Sequence, residues 1–370
     1  MILYIIVTIS VLMLSLFVNT EYRRKQNMCT AAMLKTATVT RQGLLNRALL
    51  FMVFMILFMV SALRVGTGND YWVYRTGFLQ INVGDTPVAY EYGFKAVVLL
   101  MQKIFYRDCY KEIFALFALL TAFFFVKALY DYSDWFFFSV LLFMANGFYF
   151  MSFSNVRYYF AFALVMCAYY FIGNRRYYEF AGIILIAALF HKTALIAIPA
   201  LLVAFFLKWS RKTLWLIPTA VLGLVLGKRV LTFLVFKLYP FYEGDPLGVG
   251  SISVINIAKC AAVLVFSLIY YKETIKGDAK GEMLFNLNLF AFLLYAFASY
   301  VPELTRICYY MVVGQVFLIP FILKRMKNRR AARLWGLLIG LAYAVYFAVF
   351  LKRGATPGIN ILPYLSWIFG

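Results

Sequence analysis

Charged residues are scarce in this sequence, since Asp, Glu, Lys and Arg make up 14% of its 370 residues. A soluble domain is about one quarter charged. Apolar runs long enough to cross a hydrocarbon layer about 30 Å thick recur along almost the whole chain. The alternation of polar and apolar residues that an outer-membrane barrel needs is missing. Because a backbone in lipid must satisfy its own hydrogen bonds, the sequence predicts an all-α polytopic membrane protein.

Residues that bind metals or form disulfides are also rare. The chain has a single histidine, His191, and its five cysteines are isolated from one another and form no CxxC pair. An odd number of dispersed cysteines predicts neither a disulfide framework nor a zinc site. One histidine cannot form a histidine metal cluster. We therefore expect no metal and no cofactor.

Acidic residues are outnumbered by basic ones, 15 against 36, which gives a net charge of +21. The basic residues are scattered between apolar runs and form no nucleic-acid-binding motif, so no nucleic acid is expected as a partner. The positive-inside bias of membrane proteins explains their distribution, and the lipid bilayer is the expected environment.

Apolar runs separated by charge clusters predict about twelve spans, in one transmembrane domain that covers residues 1–370. The predicted spans are 1–18, 45–62, 110–130, 135–151, 158–172, 178–190, 194–207, 213–227, 252–271, 283–300, 307–323 and 334–350. The first run lacks a basic start and a small-residue cleavage site, so it is interpreted as a retained helix.

The charge distribution predicts the orientation. Six short connections hold 21 of the 36 Lys and Arg residues and seven of the acids, which makes them cytoplasmic. These connections are 19–47, 127–134, 173–179, 208–212, 271–282 and 324–333. Both termini then lie outside, and the outer loops 63–109 and 228–251 are expected to cover an active site. Asp131 and Asp134 are interpreted as a solvated cytoplasmic turn.

Two segments need separate interpretation. Residues 178–207 are apolar except around His191, and two short helices that turn there keep the flanking basic clusters on one side. Residues 92–107 place apolar side chains on one helical face and Lys95, Lys103 and Arg107 on the other. That pattern predicts an interfacial helix on the outer surface.

Ionisable residues near the predicted outer ends of the spans are the candidates for function, because such residues are expensive in a membrane. The candidates are Arg64, Asp70, Glu91, Arg157, His191, Lys192, Lys259, Glu303 and Arg306, followed by Tyr364. Converging cations and carboxylates suggest a site for an anionic substrate. Structural interpretations stay open: Arg64 and Lys259 as snorkelling side chains, His191 as a packing residue, and Glu303 with Arg306 as a local ion pair.

Several of these residues lie in segments that resemble motifs of the EpsG family. The segment RVGTGNDY at 64–71 resembles its R-x-G-T-D-Y signature, and EYGFK at 91–95 resembles E-P-G-F-K with tyrosine in place of proline. SNVRYYFA at 154–161 is similar to its arginine-containing helix start, and ALFHKTAL at 188–195 to A-x-x-F-H-x-S/T-A-L. Arg306 followed by Tyr310, and the pair PY at 363–364, complete an ordered series over most of the chain.

The resemblance implies a Wzy-like polymerase of bacterial exopolysaccharide, capsule or O-antigen, with a fold like that of GT-C glycosyltransferases. Such an enzyme is a multi-pass protein of the bacterial cytoplasmic membrane whose active site faces outside. Its substrates are oligosaccharide repeat units on undecaprenyl pyrophosphate and the growing polysaccharide, and a chain-length regulator is a further expected partner.

The implied chemistry assigns roles to the candidates. Arginine forks fit pyrophosphate oxygens, so Arg64, Arg157, Lys259 and Arg306 are expected to bind substrate, along with Glu91, Lys192 and Tyr364. His191 is the expected base, with Glu303 and Asp70 as alternatives.

Three other classes of protein fit parts of the pattern. A transporter or flippase of lipid-linked oligosaccharide would favour a midplane site and internal repeats. A membrane acyltransferase would favour a cytoplasmic histidine, whereas this one is predicted to lie outside. A non-catalytic assembly subunit remains an alternative.

The orientation can be tested with single cysteines and a membrane-impermeant thiol reagent. In intact spheroplasts, Asp85→Cys and Glu243→Cys should be labelled, because they lie in the predicted outer loops. Lys276→Cys and Asn328→Cys should react only after lysis. The parent chain, labelled in parallel, gives the background of its native cysteines. Labelling in the reverse pattern would place the candidate site on the cytoplasmic side.

Overall fold

The computed structural model describes residues 1–20, 40–81, 90–106, 108–210, 213–227, 253–298 and 304–368, together with residues 230, 233 and 237. Within these residues the chain is a bundle of α-helices joined by short connections. The helices are α1 (Ile2–Leu16), α2 (Arg41–Ala62), α3 (Tyr71–Gln80), α4 (Tyr92–Ile104), α5 (Tyr110–Tyr132), α6 (Phe136–Ala145), α7 (Phe148–Met151), α8 (Val156–Gly173), α9 (Tyr177–Ala188), α10 (Ala197–Phe206), α11 (Leu216–Leu226), α12 (Val254–Ile269), α13 (Ala279–Ala298), α14 (Leu304–Val312), α15 (Gln315–Arg325) and α16 (Arg329–Lys352). Short 3₁₀ segments occupy Lys192–Ile196 and Thr213–Trp215, and a π-helical turn occupies Tyr271–Ile275.

Five helical segments are long and apolar enough to cross a membrane. They are α2, α5, α8, the segment Leu304–Arg325 and α16. Shorter apolar helices of 10–17 residues occupy other predicted spans. The chain is therefore an all-α membrane protein, as the composition predicts. The full count of about twelve spans and the GT-C-like arrangement stay predictions.

Helix α8 lies at the centre of the bundle and is buried along nearly its whole length. It begins where the Asn155 side chain accepts a hydrogen bond from the Tyr158 N–H (3.1 Å), which satisfies a donor of the first turn. It packs against α5 on one side and α9 on another. Tight packing of this kind holds helices together where no water is present to drive association.

The helical hairpin predicted for residues 178–207 is confirmed. Helix α9 ends before His191, and the chain continues through Lys192–Ile196 into α10. The ring of Tyr177, at the start of α9, stacks on that of Phe206, at the end of α10, with centroids 6.1 Å apart. The two arms are therefore antiparallel, and His191 lies at their turn.

The predicted outer loop 63–109 contains two helices, of which only one was expected. Helix α3 was not predicted, although its buried residues Tyr71, Tyr74 and Phe78 have helical spacing. Helix α4 coincides with the predicted amphipathic helix, and it buries Phe94 and Val98 against the bundle while Ile104 stays exposed. Arg107 and the loop 228–251 lie outside the described residues.

A two-residue pair of strands is the one addition to the helical architecture within the described residues. Strand β1 (Arg64–Val65) pairs antiparallel with β2 (Leu365–Ser366), so that Arg64 lies opposite Ser366. This pairing brings the segment that follows α16 to the start of the first glycine-rich loop.

Asp134 is buried in an ion cluster, so the prediction of a solvated turn is wrong for this residue. Its carboxylate lies 2.6 Å from Lys280 Nζ and 3.5 Å from an Arg325 nitrogen, and Arg325 also pairs with Asp278 at 3.2 Å. The neighbouring Asp131 is partly exposed and forms an ion pair with Lys127. Sequence distance hid the contact, because the partners of Asp134 lie on α13 and α15. We call the end of the bundle that carries the Asp134 cluster the far end.

The two aspartates give a matched stability test. Asp134→Asn leaves Lys280 and Arg325 without their buried counter-charge and should destabilise the protein by about 2–3 kcal/mol, somewhat below a fully buried pair because both cations are partly exposed. Asp131→Asn should change stability by less than ~1 kcal/mol. Thermal unfolding in detergent measures both, and equal midpoints for the two variants would contradict a structural role for the cluster.

Candidate active site

A glycine-rich turn at residues 66–70 forms the first wall of the site. Gly68 has φ of +107°, and a Cβ there would lie 2.1 Å from the carbonyl oxygen of Phe153. Only glycine permits this approach, because any side chain would overlap that backbone. The Asn69 N–H donates to Ser154 Oγ (3.1 Å), just before α8 begins. The turn is therefore fixed against the start of the central helix, at what we call the site end of the bundle.

The segment after α16 closes over this turn. The Gly358 N–H donates to Asn69 Oδ1 (3.1 Å), and the strands β1 and β2 pair beside it. Tyr364 OH donates to Val60 O at the end of α2 (3.0 Å). The structure thus places Tyr364, a predicted substrate ligand, as a contact that holds this segment in place.

Arg64 is 3% exposed and lies beneath the same turn. Its Nη1 donates to the carbonyl oxygen and hydroxyl of Ser61, and its guanidinium lies 5.2 Å from the ring centroids of both Phe114 and Phe153. No carboxylate pairs with it among the described residues, and Nε has no hydrogen-bond partner there. Burial lowers the pKa of Arg64 to about 10, so it remains charged at neutral pH. Ser61 lies in the last turn of α2, so the positive guanidinium of Arg64 is placed at the negative end of the helix dipole.

Arg157 and Glu91 form a buried ion pair in the middle of the site. Arg157 Nη1 lies 2.5 Å from Glu91 Oε2, and each side chain is about 10% exposed. The guanidinium lies 4.6 Å from the ring centroid of Tyr90, and its Nε donates to Tyr74 OH (3.3 Å). Tyr74 in turn donates to Asn155 Oδ1 (2.9 Å). Helices α3, α4 and α8 therefore meet at one guanidinium.

The start of α4 is pressed against the turn of the helical hairpin. The Gly93 N–H donates to Leu189 O (3.0 Å), and a Cβ on Gly93 would lie 2.7 Å from Leu189 Cβ. Glu91 Oε1 accepts a hydrogen bond from the Lys192 N–H (3.4 Å). The Lys192 side chain itself is exposed at the edge of the site. Glu91 consequently joins Arg157 to the loop that carries His191.

His191 is buried in the turn of the hairpin, with 5% of its surface exposed. Its Nδ1 lies 2.7 Å from Thr193 Oγ1, which lies 3.1 Å from Tyr310 OH. Its ring meets Tyr158 edge-on, and Tyr158 OH donates to the carbonyl oxygen of Arg306 (2.7 Å). Within the described residues, Nε2 has no hydrogen-bond partner.

The charge state of His191 follows from its surroundings. Burial, together with the positive charges of Arg306 and Arg157, lowers the pKa of His191 to about 3. The ring is therefore neutral at physiological pH and can accept a proton. Both arginines thus lie close enough to His191 to influence its charge state.

The remaining predicted residues are placed less centrally. Asp70 precedes α3 and accepts a hydrogen bond from Asn69 Nδ2 (2.8 Å). Lys259 lies apart from the ion pair on α12, where it donates to Asn146 Oδ1 (2.8 Å) and faces the Tyr346 ring. Glu303 lies outside the described residues. Within them, no group of three or more His, Cys, Asp or Glu residues is arranged to hold a metal.

Sequence reasoning assigned no role to four polar residues of the site, although Thr193 and Tyr310 lie in the motifs named above. Tyr74 and Tyr90 contact Arg157, while Thr193 and Tyr310 orient His191. The tyrosines were hidden in an aromatic-rich sequence, in which ring residues are expected at membrane interfaces. Thr193 had a usable signal, because a hydroxyl two residues after the only histidine can reach its ring.

A comparison with protein families supplies the classification. The chain matches the EpsG family over residues 47–366, a range that contains all the site residues described above. The chain belongs to the EpsG family. EpsG proteins are Wzy-like polymerases, so the resemblance drawn from the motifs is confirmed and the general function is polysaccharide polymerisation. No curated protein and no solved structure matches the chain.

The protonation of His191 can be measured directly, because it is the only histidine of this EpsG protein. Histidine-labelled protein purified without a histidine tag should give one ring signal in NMR spectra. With a folded pKa near 3, below the unfolded value of about 6.5, the ring should stay neutral from pH 8 to pH 5. The contribution of His191 to the free energy of unfolding is therefore complete above pH 6.5 and is lost as the pH falls from 6.5 towards 3.

Thr193→Val is the matched control for this measurement. It should change the chemical shift of Nδ1, because it removes the 2.7 Å contact, while leaving the ring buried. A parent signal that titrates with a midpoint near pH 6.5 would contradict the buried position of His191.

Proposed function

We propose that this chain joins oligosaccharide repeat units carried on undecaprenyl pyrophosphate at the outer face of the bacterial cytoplasmic membrane. The proposal is carried by one observation: a neutral histidine and two arginines, Arg157 and Arg306, gather at one end of the helical bundle. A lipid-linked substrate presents its pyrophosphate at the membrane surface, where such a cluster would meet it. The charge asymmetry of the connecting loops supports the outer side.

The arginines suit the leaving group of the reaction. Transfer of a glycan breaks the bond between its anomeric carbon and a pyrophosphate oxygen, so negative charge develops on that oxygen. A guanidinium group can donate two parallel hydrogen bonds to phosphate oxygens. Because it is already oriented in the site, it stabilises the developing negative charge without reorganisation. Arg306 is partly exposed and Arg157 is held rigidly by Glu91 and Tyr74. Arg157 therefore provides a fixed cation and Arg306 a more accessible one.

His191 suits the acceptor side of the reaction. A sugar hydroxyl of the second lipid-linked unit attacks the anomeric carbon, and its proton passes to Nε2 of His191. The contact between Nδ1 and Thr193 fixes the ring orientation, as a catalytic base requires. The new glycosidic bond lengthens the polysaccharide, and undecaprenyl pyrophosphate leaves.

The low pKa of His191 is compatible with this role. Burial weakens His191 as a base, and two positive charges weaken it further. A bound pyrophosphate would neutralise the arginine charges and so raise the pKa of His191 towards the range in which a base is effective. The base would then be strengthened by binding of the donor that it needs.

The other candidates have supporting roles in this proposal. Asp70 and Glu303 are the alternative bases. Arg64 and Tyr364 hold the glycine-rich turn, and Lys192 and Lys259 extend the positive field towards the rim and the bundle interior. Flipping of a lipid-linked oligosaccharide is the alternative function, and a polymerisation assay distinguishes the two.

Arg306→Lys tests the leaving-group role. Lysine keeps the charge but loses the planar fork, so turnover should fall by about tenfold or more while some binding remains. The assay is polymerisation by purified protein of a lipid-linked repeat unit, read as a ladder of chain lengths. Arg330→Lys, at an exposed position of the far end, is the control and should polymerise as the parent does. If Arg306→Lys and Arg157→Lys were both silent, the pyrophosphate ligands would have to be Arg64 and Lys259.

His191→Gln tests the base. The amide keeps a polar side chain of similar size but cannot take the proton, so turnover should fall by ~10²–10⁴-fold with nearly unchanged substrate binding. Insertion and elution volume must match the parent, because a misfolded variant also loses activity. Polymerisation at the parent rate would assign the base to Glu303 or Asp70 and leave His191 as a packing residue.

A further inference from the structure

An open apolar groove lies between α10, α11 and α13 and reaches Met311 of α14. Its volume is about 700 Å³, within the range that holds small molecules in other proteins. Its wall is almost free of polar groups and includes Pro199, Val203, Gly223, Gly227, Leu293 and Met311. The described residues of α11 are all partly or fully exposed, so this helix leaves the groove open along its side.

The groove reaches the site end of the bundle. Pro199 lies in the first turn of α10, shortly after the His191 turn, and Gly227 follows the end of α11, while Val203 lies nearer the other end of α10. Met311 directly follows Tyr310, whose hydroxyl contacts Thr193 beside His191. The polar site and the apolar groove are thus joined through two adjacent residues of α14.

We propose that this groove holds the prenyl chain of the lipid-linked substrate while its pyrophosphate lies between Arg157 and Arg306. The inference rests on the proposed function, and it adds the place of the lipid tail. Two features favour this occupant. An apolar wall offers a hydrocarbon chain contact but gives a sugar no hydrogen bonds, and the groove reaches the end of the bundle that carries the site. A chain entering from the side would keep its charged head at the arginines.

Gly223 provides a way to fill the groove without disturbing the fold. A Cβ built on this residue meets no atom within 4 Å, so a larger side chain has room on the groove wall. Gly182, on α9, has equally open surroundings and does not line the groove. The two glycines are therefore a matched pair for one substitution.

The experiment compares the binding of two pyrophosphates to purified protein in nanodiscs, with no polymerisation required. Undecaprenyl pyrophosphate has a tail that can fill the groove, whereas dimethylallyl pyrophosphate has five carbons. Gly223→Phe should weaken binding of the long lipid about tenfold, which corresponds to displacing roughly two buried methylene-sized groups, and leave the short one unchanged. Gly182→Phe should change neither. Val203→Phe, on the facing helix, should reproduce the result of Gly223→Phe.

The outcomes separate this inference from the proposed function. If Gly223→Phe binds the long lipid as the parent does, the groove holds ordinary membrane lipid or nothing, and the inference is wrong. Equal weakening of both ligands would also overturn it, because the substitution would then act on the head site. A parent that binds neither pyrophosphate contradicts the proposed function as well. If Gly223→Phe weakens binding of the long lipid alone but the parent does not polymerise repeat units, the groove proposal stands and the polymerase proposal is wrong.

Discussion

The buried pair of Arg157 and Glu91 is the contact on which the site end of the molecule depends. Two charges removed from water are stable only when they are paired and surrounded by hydrogen bonds, and Tyr74 and the Lys192 N–H supply these. One ion pair thereby joins helix α3, the start of α4, the start of α8 and the turn that carries His191. The far end has its own buried cluster around Asp134, so ionic contacts hold both ends of the bundle together.

Local pattern was sufficient to predict most of the helices. Apolar runs between basic clusters located them, and the interruption at His191 correctly predicted a hairpin, since a single helix would have separated two basic clusters that belong together. Helix α3 was missed because its aromatic face lies in a segment with charges and glycines on both sides. Such a segment has the composition of a loop until its partners are known.

The site was predicted as a set of residues but not as a geometry. Most candidates were found because an ionisable side chain near a membrane is energetically costly and is therefore a candidate for function. That argument does not identify the residue with which the side chain interacts. Arg157 and Glu91 are separated by 66 residues, and no local period connects them. The same argument could not distinguish Arg64 from Arg157. Arg64 contacts Ser61 and two phenylalanine rings beneath a turn, whereas Arg157 pairs with a carboxylate and lies against tyrosine rings. Burial and partners separate such residues, and both depend on the folded chain.

The contact between Asn69 and Gly358 has a consequence for biosynthesis. These residues lie 289 positions apart, so the ribosome must add all the intervening residues before the glycine-rich turn can meet its partner. Contacts of such long range form late, because a large loop must first be closed. The membrane insertion machinery therefore handles a nascent chain whose signature loop is still unpaired. A newly made molecule should acquire its finished site only after its last helix has entered the bilayer.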